Sequence, residues 1–384
     1  MEHDSSPIEM TPAELLRRIE SREEVHVLDV RAPFRLQNGR IDIVPDEWFH
    51  NIPGSELRTL DDPGRAGLRR DVPIAVVCGR GFDSVIIADH LNERGFRATS
   101  IAGGMLDWMA LAVPRELEPP AGCDRFVQFD RVGKGALAYL VISAGEGFVV
   151  DPSRDTDPIL AAAREAGARI VGVADTHVHA DYISGGPALA LKLGVPYYLH
   201  PRDAFYPYDG TPGAIAFEAL SDGRKIPVGR ASIEALHTPG HTEGSVSYRI
   251  ADEAILTGDF IFIGSVGRPD LGGKTEEWTL VLWASLERAR REWARDARIY
   301  PAHYQNGPER NLDRSVGRTF GEILLANEPL AMTDGARFAQ WVRERAGSFP
   351  DAYRRMKAIN IGLEDPNRAE MDELEAGRNQ CALG

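Results

Sequence analysis

The sequence predicts an α/β protein of two domains, the first built on a parallel sheet with helices on both faces. Three observations predict it. Over roughly the first 115 residues, short apolar strands alternate with amphipathic helices, as crossover-connected parallel strands require. The stretch Glu118-Pro119-Pro120-Ala121-Gly122 then breaks that alternation. At about 150 residues per domain, 384 residues make two or three domains, so the remainder can hold its own core. The expected division is residues 1–118, a linker at 119–122 and a second domain at 123–384.

The elements follow in order. Thr11 caps a first helix, with Pro12 at its first position and Glu14 completing a capping box ahead of Leu15, Leu16 and Ile19. Val25 to Val30 reads as a short buried strand, and Pro73 to Val77 as another. The second strand runs into Cys78-Gly79-Arg80-Gly81 and a helix with Val85, Ile86, Ile87 and Leu91, stopped at Glu93-Arg94-Gly95. Beyond the linker, Ala136 to Val150 makes two strands around a turn at residues 144–147. A helix from about Asp157 to Ala166 and a buried strand, Ile170 to Ala174, come next. Trp278, Leu282, Leu286 and Trp293 lie near helical spacing, so Thr275 to Asp296 reads as one long helix. The last 80 residues read as short helices and loops.

Composition excludes several classes. The net charge of −14 repels nucleic acid and anionic membranes. No apolar run approaches the ~18 residues of a membrane span. Met1-Glu2-His3-Asp4-Ser5-Ser6 lacks the basic and apolar regions of a leader, and three scattered cysteines make no disulfide framework. A cytoplasmic location is the expectation. A homo-oligomer is left open, because the sign of the charge carries no information on assembly.

The densest polar cluster follows the strand ending at Ala174. It is Thr176-His177-Val178-His179-Ala180-Asp181-Tyr182, and three more clusters follow it: His237-Thr238-Pro239-Gly240-His241-Thr242, Thr257-Gly258-Asp259 and Tyr300-Pro301-Ala302-His303. Each trails a probable strand, so the four can converge at one edge of a layered sheet structure. A single such histidine is usually structural. Four segments holding imidazoles and carboxylates are what zinc or iron needs.

These motifs resemble the metallo-β-lactamase superfamily, whose signature is His-x-His-x-Asp-His followed by a distant His, an Asp and a final His. Residues 136–304 resemble its persulfide dioxygenase branch, through the four segments above and Gly267-Arg268-Pro269-Asp270. The resemblance implies an αββα sandwich. It implies one Fe(II) per chain, held by His177, His241 and Asp259, with zinc as an ion the purified protein could carry. Two histidines and a carboxylate leave three positions open for a thiol persulfide and dioxygen. His179, Asp181 and His303 would stand beside the ligands. Tyr182 departs from the signature where binuclear relatives carry the last histidine, so a second ion would be held weakly at best. Arg268 and Asp270 occupy the branch's Gly-Arg-Thr-Asp position, where a guanidinium could anchor a carrier's carboxylate; a structural Arg–Asp pair is the alternative.

Cys78 sits between a strand and a helix with Gly79, Arg80 and Gly81 around it. Such a loop presents backbone N–H groups and a helix N-terminus, which favour thiolate and make Cys78 a candidate nucleophile with Arg80 beside it. The segment resembles the rhodanese sulfurtransferase loop, Cys-x-x-Gly-x-Arg-Ser. Supporting stretches are Leu28-Asp29-Val30-Arg31, Asn51-Ile52-Pro53 and Gly103-Gly104-Met105-Leu106-Asp107-Trp108. Asp83 stands where that family has Arg, which works against anionic donors such as thiosulfate. Cys123 and Cys381 lack a partner histidine or a CxxC spacing and read as bystanders.

The expected function is oxidation of a low-molecular-weight thiol persulfide to sulfite with dioxygen, coupled to sulfane-sulfur transfer on Cys78. The alternatives are a glyoxalase II-like zinc thioester hydrolase and a non-enzymatic sulfane-sulfur carrier. Glutathione, coenzyme A and other carriers are left open by these motifs.

Overall fold

The computed structural model describes residues 9–305 and 307–383. The polar start at Met1–Ser6 lies outside them. The chain forms two compact units: one of residues up to Leu111 with Arg131–Lys134 and Ala376–Arg378, the other of Ala112–Asp130, Gly135–Glu375 and the last residues from Asn379. The Pro119-Pro120 stretch therefore lies inside the second unit, between two strands of one sheet.

In the first unit, five strands are β1 (Glu9–Met10), β2 (His26–Asp29), β3 (Phe49–Asn51), β4 (Pro73–Val77) and β5 (Arg97–Ile101). They form one sheet in the order β1-β5-β4-β2-β3, and every neighbouring pair is parallel. Parallel order requires crossovers. Pro12–Glu20 supplies one helix, with the Thr11 hydroxyl accepting from Glu14 N as the sequence predicts, while the Glu14 carboxylate accepts from Arg18 (2.7 Å) and does not close the capping box. Phe82–Asn92 supplies another, burying Ile87, Ala88 and Leu91. Leu28, Ile74 and Val76 meet these side chains in one apolar cluster that also holds Cys78.

The second unit holds two sheets. The strands β6 (Ala112–Leu117), β7 (Arg125–Arg131), β8 (Ala136–Ser143), β9 (Glu146–Val150), β10 (Arg169–Ala174), β11 (Tyr197–Leu199) and β12 (Glu218–Ala219) run in reverse spatial order from β12 to β6. The strands β13 (Lys225–Val228), β14 (Ala231–His237), β15 (Val246–Ile250), β16 (Ala254–Gly258), β17 (Arg298–Pro301) and β18 (Arg318–Thr319) form the other sheet in chain order. β8 is buried on both faces, and its alternation shows the layers. Leu137, Tyr139 and Val141 join Tyr248, Leu256 and Tyr300 between the sheets. Ala138, Leu140 and Ile142 face outward onto Ile159, Ala162 and Leu189 of the helices Asp157–Glu165 and Gly186–Leu193. On the far side Leu282, Leu286 and Ala289 of the helix Thr275–Glu292 cover the other sheet. This is an αββα sandwich.

That long helix ends at Glu292 rather than Asp296. Trp293 leaves helical angles (φ −86°, ψ 136°) and sets its ring against Phe260 and Phe320. Burying an aromatic ring stabilises by about 1.5–3 kcal/mol, more than the last helical turn contributes. Among the described residues no helix is long and apolar enough to cross a membrane.

Strand direction sets where the histidine clusters fall. β14 and β16 both pair antiparallel with β15, and β17 is parallel to β16, so all three end at one edge. Val246 N donates to Thr176 O (2.8 Å), which brings the end of β10 to the same edge.

Candidate metal centre and cysteine loop

His177, His241 and Asp259 meet there. One ligand atom from each lies within 4.8 Å of the others, and all three side chains are fully buried. His177 Nε2 and His241 Nε2 each stand 3.5 Å from Asp259 Oδ2. None of these three atoms has a hydrogen-bond partner. Buried polar atoms are almost always satisfied, so three orphans facing one point fit a bound cation.

The other ring nitrogens fix the tautomers. The Thr176 hydroxyl donates to Asp151 (2.9 Å), which leaves its lone pair for His177 Nδ1–H at 3.0 Å. His241 Nδ1–H donates to the Arg268 carbonyl at 2.9 Å. Both Nε2 lone pairs therefore face the triad centre. Burial disfavours charge on His241 and the neighbouring His177 adds to this, holding its pKa well below the usual 6.5. Burial alone would raise Asp259, but His303 and His177 outweigh it and keep the carboxylate well below its usual 3.8. A neutral imidazole at His241 and an ionised carboxylate at Asp259 are ligand forms a divalent ion takes. Gly258 (φ +55°) permits the approach, since a Cβ there would lie 2.4 Å from Thr176 Oγ1.

His303 does not join the triad. Its Nδ1–H donates to Asp259 Oδ1 at 2.6 Å, and its Nε2 stands 2.9 Å from Asp181 Oδ2 without hydrogen-bond alignment. Burial opposes its charge, but the carboxylates of Asp181 and Asp259 push its pKa up to about 10. His179 turns Nε2 to Asp151 Oδ1 (3.1 Å) and to the Tyr182 hydroxyl (2.9 Å). The Tyr182 ring stacks on His179 with centroids 4.3 Å apart, and its hydroxyl reaches the Asp151 carbonyl at 3.2 Å. The phenol is thus part of the support behind the histidines.

Cys381 and the Arg268–Asp270 pair stand differently from what the sequence suggests. Cys381, read as a bystander, is fully buried with its sulfur within 4.8 Å of ligand atoms on Asp181 and His303. Arg268 forms a two-pronged pair with Asp270, both contacts at 2.7 Å, and its remaining donors reach the carbonyls of Gly347 (2.8 Å) and Gln380 (3.4 Å). With its fork taken up by protein groups, the pair fits the structural alternative and not an anchor for a carrier's carboxylate. It also holds the tail: Arg268 N donates to Cys381 O at 3.0 Å. Cys123, the other cysteine outside the loop, is half-buried, and burial pushes its thiol up to about 11.

Other residues were not singled out in the sequence. Asp151 adopts φ +54°, unusual for a non-glycine residue, and so aims its carboxylate at Thr176 N (2.6 Å), the Thr176 hydroxyl and His179. Asp203 accepts from Val178 N, the Thr242 hydroxyl and Gly244 N, joining two histidine loops. Asn360 donates to the carbonyls of His179 and Tyr182, both at 2.8 Å. An Asp-Pro step after a buried strand was the visible signal for Asp151; Asp203 and Asn360 gave none. Burial pushes Asp175, behind this network, up to about 6.

In the first unit, Cys78 is buried and its sulfur accepts from Gly81 N at 3.1 Å, with the Ser84 hydroxyl 3.3 Å away. The loop is braced by Met105 N on the Cys78 carbonyl (2.8 Å) and Leu106 N on that of Gly79 (3.2 Å). Gly104 (φ +62°) admits this contact, because a Cβ would stand 2.5 Å from the Cys78 carbonyl oxygen. Arg80 and Asp83 are exposed. Asp29 and Arg31 form a two-pronged pair, and Asn51 donates to both their carbonyls.

Residues 132–313 match the Metallo-beta-lactamase superfamily. The probable metallo-hydrolase YqgX of Bacillus subtilis (strain 168) is 30% identical over 158 residues, which is 38% of this chain and 75% of that protein. Among solved structures, a metallo-beta-lactamase from Staphylococcus aureus subsp. aureus COL is 28% identical with a TM-score of 0.55, over 62% of this chain and 73% of that one. ETHE1 from Myxococcus xanthus shares the fold at 22% identity and TM-score 0.50, over 65% and 99%. The chain belongs to the metallo-beta-lactamase superfamily.

Proposed function

We propose that the second unit is a thiol-persulfide dioxygenase working at one iron, and that Cys78 of the first unit carries sulfane sulfur. The observation behind this reading is the open triad: His177, His241 and Asp259 converge, while His303 turns its nitrogen into Asp259 instead of into the centre. A two-histidine, one-carboxylate set is that of non-haem iron oxygenases, and Fe(II) bound there supplies electron transfer to dioxygen.

The chain's own residues do the rest. Thr176 and the Arg268 carbonyl hold the two imidazoles in the ligating tautomer. His303 orients Asp259 through its Nδ1–H. Burial of every group in the centre keeps bulk water from the reacting sulfur. In the first unit, the Gly81 N–H steadies negative charge on Cys78 sulfur.

The metallo-hydrolase relative favours a second reading, thioester hydrolysis with zinc. Metal loading separates the two. Anaerobic titration with Fe(II) is expected to saturate at one ion per chain, with no hydrolysis of a glutathione thioester. Two zinc ions per chain, with thioester hydrolysis, would contradict the proposal.

A further inference from the structure

Residues 266–268 are wedged against two of the three ligands. Gly267 leaves no room for a side chain: a Cβ there would stand 1.8 Å from the Asp259 carbonyl oxygen and 3.0 Å from His241 Cβ. One residue on, the Arg268 carbonyl accepts from His241 Nδ1–H at 2.9 Å and so aims Nε2 at the centre. The direction of that carbonyl depends on the backbone angles of Arg268 and of the residue after it. Pro269 limits them, because its ring fixes its own φ and disfavours helical angles at Arg268.

What remains is the peptide unit before Arg268, and residues 379–383 hold it. Gly267 and Ala382 form an antiparallel bridge, flanked by Arg268 N donating to Cys381 O (3.0 Å) and Leu383 N donating to Val266 O (3.1 Å). The Ser265 hydroxyl donates to the Leu383 carbonyl. So short a bridge contributes little by itself, and its stability comes from anchors on either side. The Asn379 amide donates to the carbonyls of Gly135 and Tyr304, both at 3.2 Å, and Tyr304 is the residue after His303. Gln380 N donates to the Tyr353 hydroxyl at 2.7 Å. Cys381 is buried among Ala180, Ile183 and Phe262, and Leu383 belongs to the apolar cluster of Phe260 and Val266. The segment is thereby tied to the stretches that follow His177, Asp259 and His303.

We propose that residues 379–383 are a positioning strap for the metal centre. They fix the Arg268 backbone, whose carbonyl holds His241 in its ligating tautomer, and so raise metal affinity. Cys381 acts in this through its carbonyl and not through its sulfur. The inference rests on the triad as a metal site and is independent of the reaction carried out there.

Chelator competition for Fe(II) on the full chain reads the strap. The visible bands of the Co(II)-loaded protein read ligand geometry, which a purely structural role would leave alone. Leu383→Pro removes the donor to Val266. It is expected to weaken Fe(II) about tenfold, the low end for a support behind a ligand, and to shift the Co(II) bands. Ser265→Ala deletes one hydroxyl and leaves every side chain of the strap in place, so it reads the same loss, smaller, if Leu383→Pro does not fold. Cys381→Ala keeps the carbonyl and is expected to hold Fe(II) as the wild type does. Pro269→Ala frees the same carbonyl from the other side, so its loss and that of Leu383→Pro should not add.

Unchanged affinity and bands in the folded strap variants would overturn the proposal, whatever their Tm. So would a loss in Cys381→Ala as large as in Leu383→Pro, or additive losses with Pro269→Ala. A wild-type chain that holds neither ion would overturn the triad and the strap together. Weakened variants beside a wild type that binds Fe(II) yet consumes no dioxygen would leave the strap standing and remove the dioxygenase reading.

Discussion

The sulfur of Cys78 takes its polar contacts from within six residues, whereas side chains from distant segments build the metal centre. The sulfur meets one N–H from Gly81 and one hydroxyl from Ser84, three and six positions on, and residues 105–106 brace the carbonyls of Cys78 and Gly79 from 27 positions away. The triad depends on Asp151, Thr176, Asp203, Arg268 and Asn360, none of which is itself one of its three ligands. The loop depends on a few near neighbours, Ser84, Gly81 and Gly104 among them. A side-chain network weakens stepwise as each support is removed.

The largest effect expected is on the triad. His241→Ala leaves two donors, so iron content measured on the purified protein should fall to background and oxygen uptake with it. Sulfur transfer by Cys78 should continue. Full metal occupancy in that variant would refute the ligand assignment. The reciprocal break is Cys78→Ser, which should abolish sulfur transfer to cyanide while oxygen uptake on a supplied persulfide stays normal. A loss of both would mean that the sites are chemically inseparable.

A smaller effect is expected one bond away. His303→Ala removes the donor to Asp259, and loss of such a support typically costs about 10–100-fold in metal affinity or activity. Metal competition with a chelator reads this directly, and wild-type affinity would remove His303 from the supporting role. Asp83→Arg sharpens the other side of the comparison. It replaces an exposed carboxylate near the loop by a cation, so turnover with thiosulfate should rise several-fold, by the order of a surface charge interaction. An unchanged rate would count against the electrostatic account.

The smallest expected effect lies beside the second histidine motif, where His200 stacks on His237 with centroids 4.1 Å apart. Burial, then the charge of His237, lowers His200 to about 4 from its usual 6.5. The unfolded chain therefore takes up the proton first. Stability contributed by the neutral ring is complete above pH 6.5 and declines as pH falls toward 4. His200→Gln should flatten that decline in thermal melts at pH 5 against pH 7.5; identical slopes would exclude the stack as its source.

What the chain shows before folding follows the same division. The Thr11 cap, the β8–β9 hairpin and the strand-terminal histidines are legible because each is written within a few consecutive residues. Asp203 is not, because it meets Val178 and Thr242 from 25 and 39 positions away. Asn360 reaches back 181 positions to His179. Cys381 has no local pattern at all, and only the return of the tail along Arg268 brings it to Asp181 and His303. The spacing carries the long helix too far because Trp293 keeps helical spacing while its backbone has already turned out.

The central claim is an oxygen-consuming reaction at the triad, and its most direct test is dioxygen uptake by anaerobically iron-loaded protein given glutathione persulfide, with sulfite assayed alongside. Uptake matched by sulfite is the predicted result. No uptake from protein shown to hold iron would contradict it.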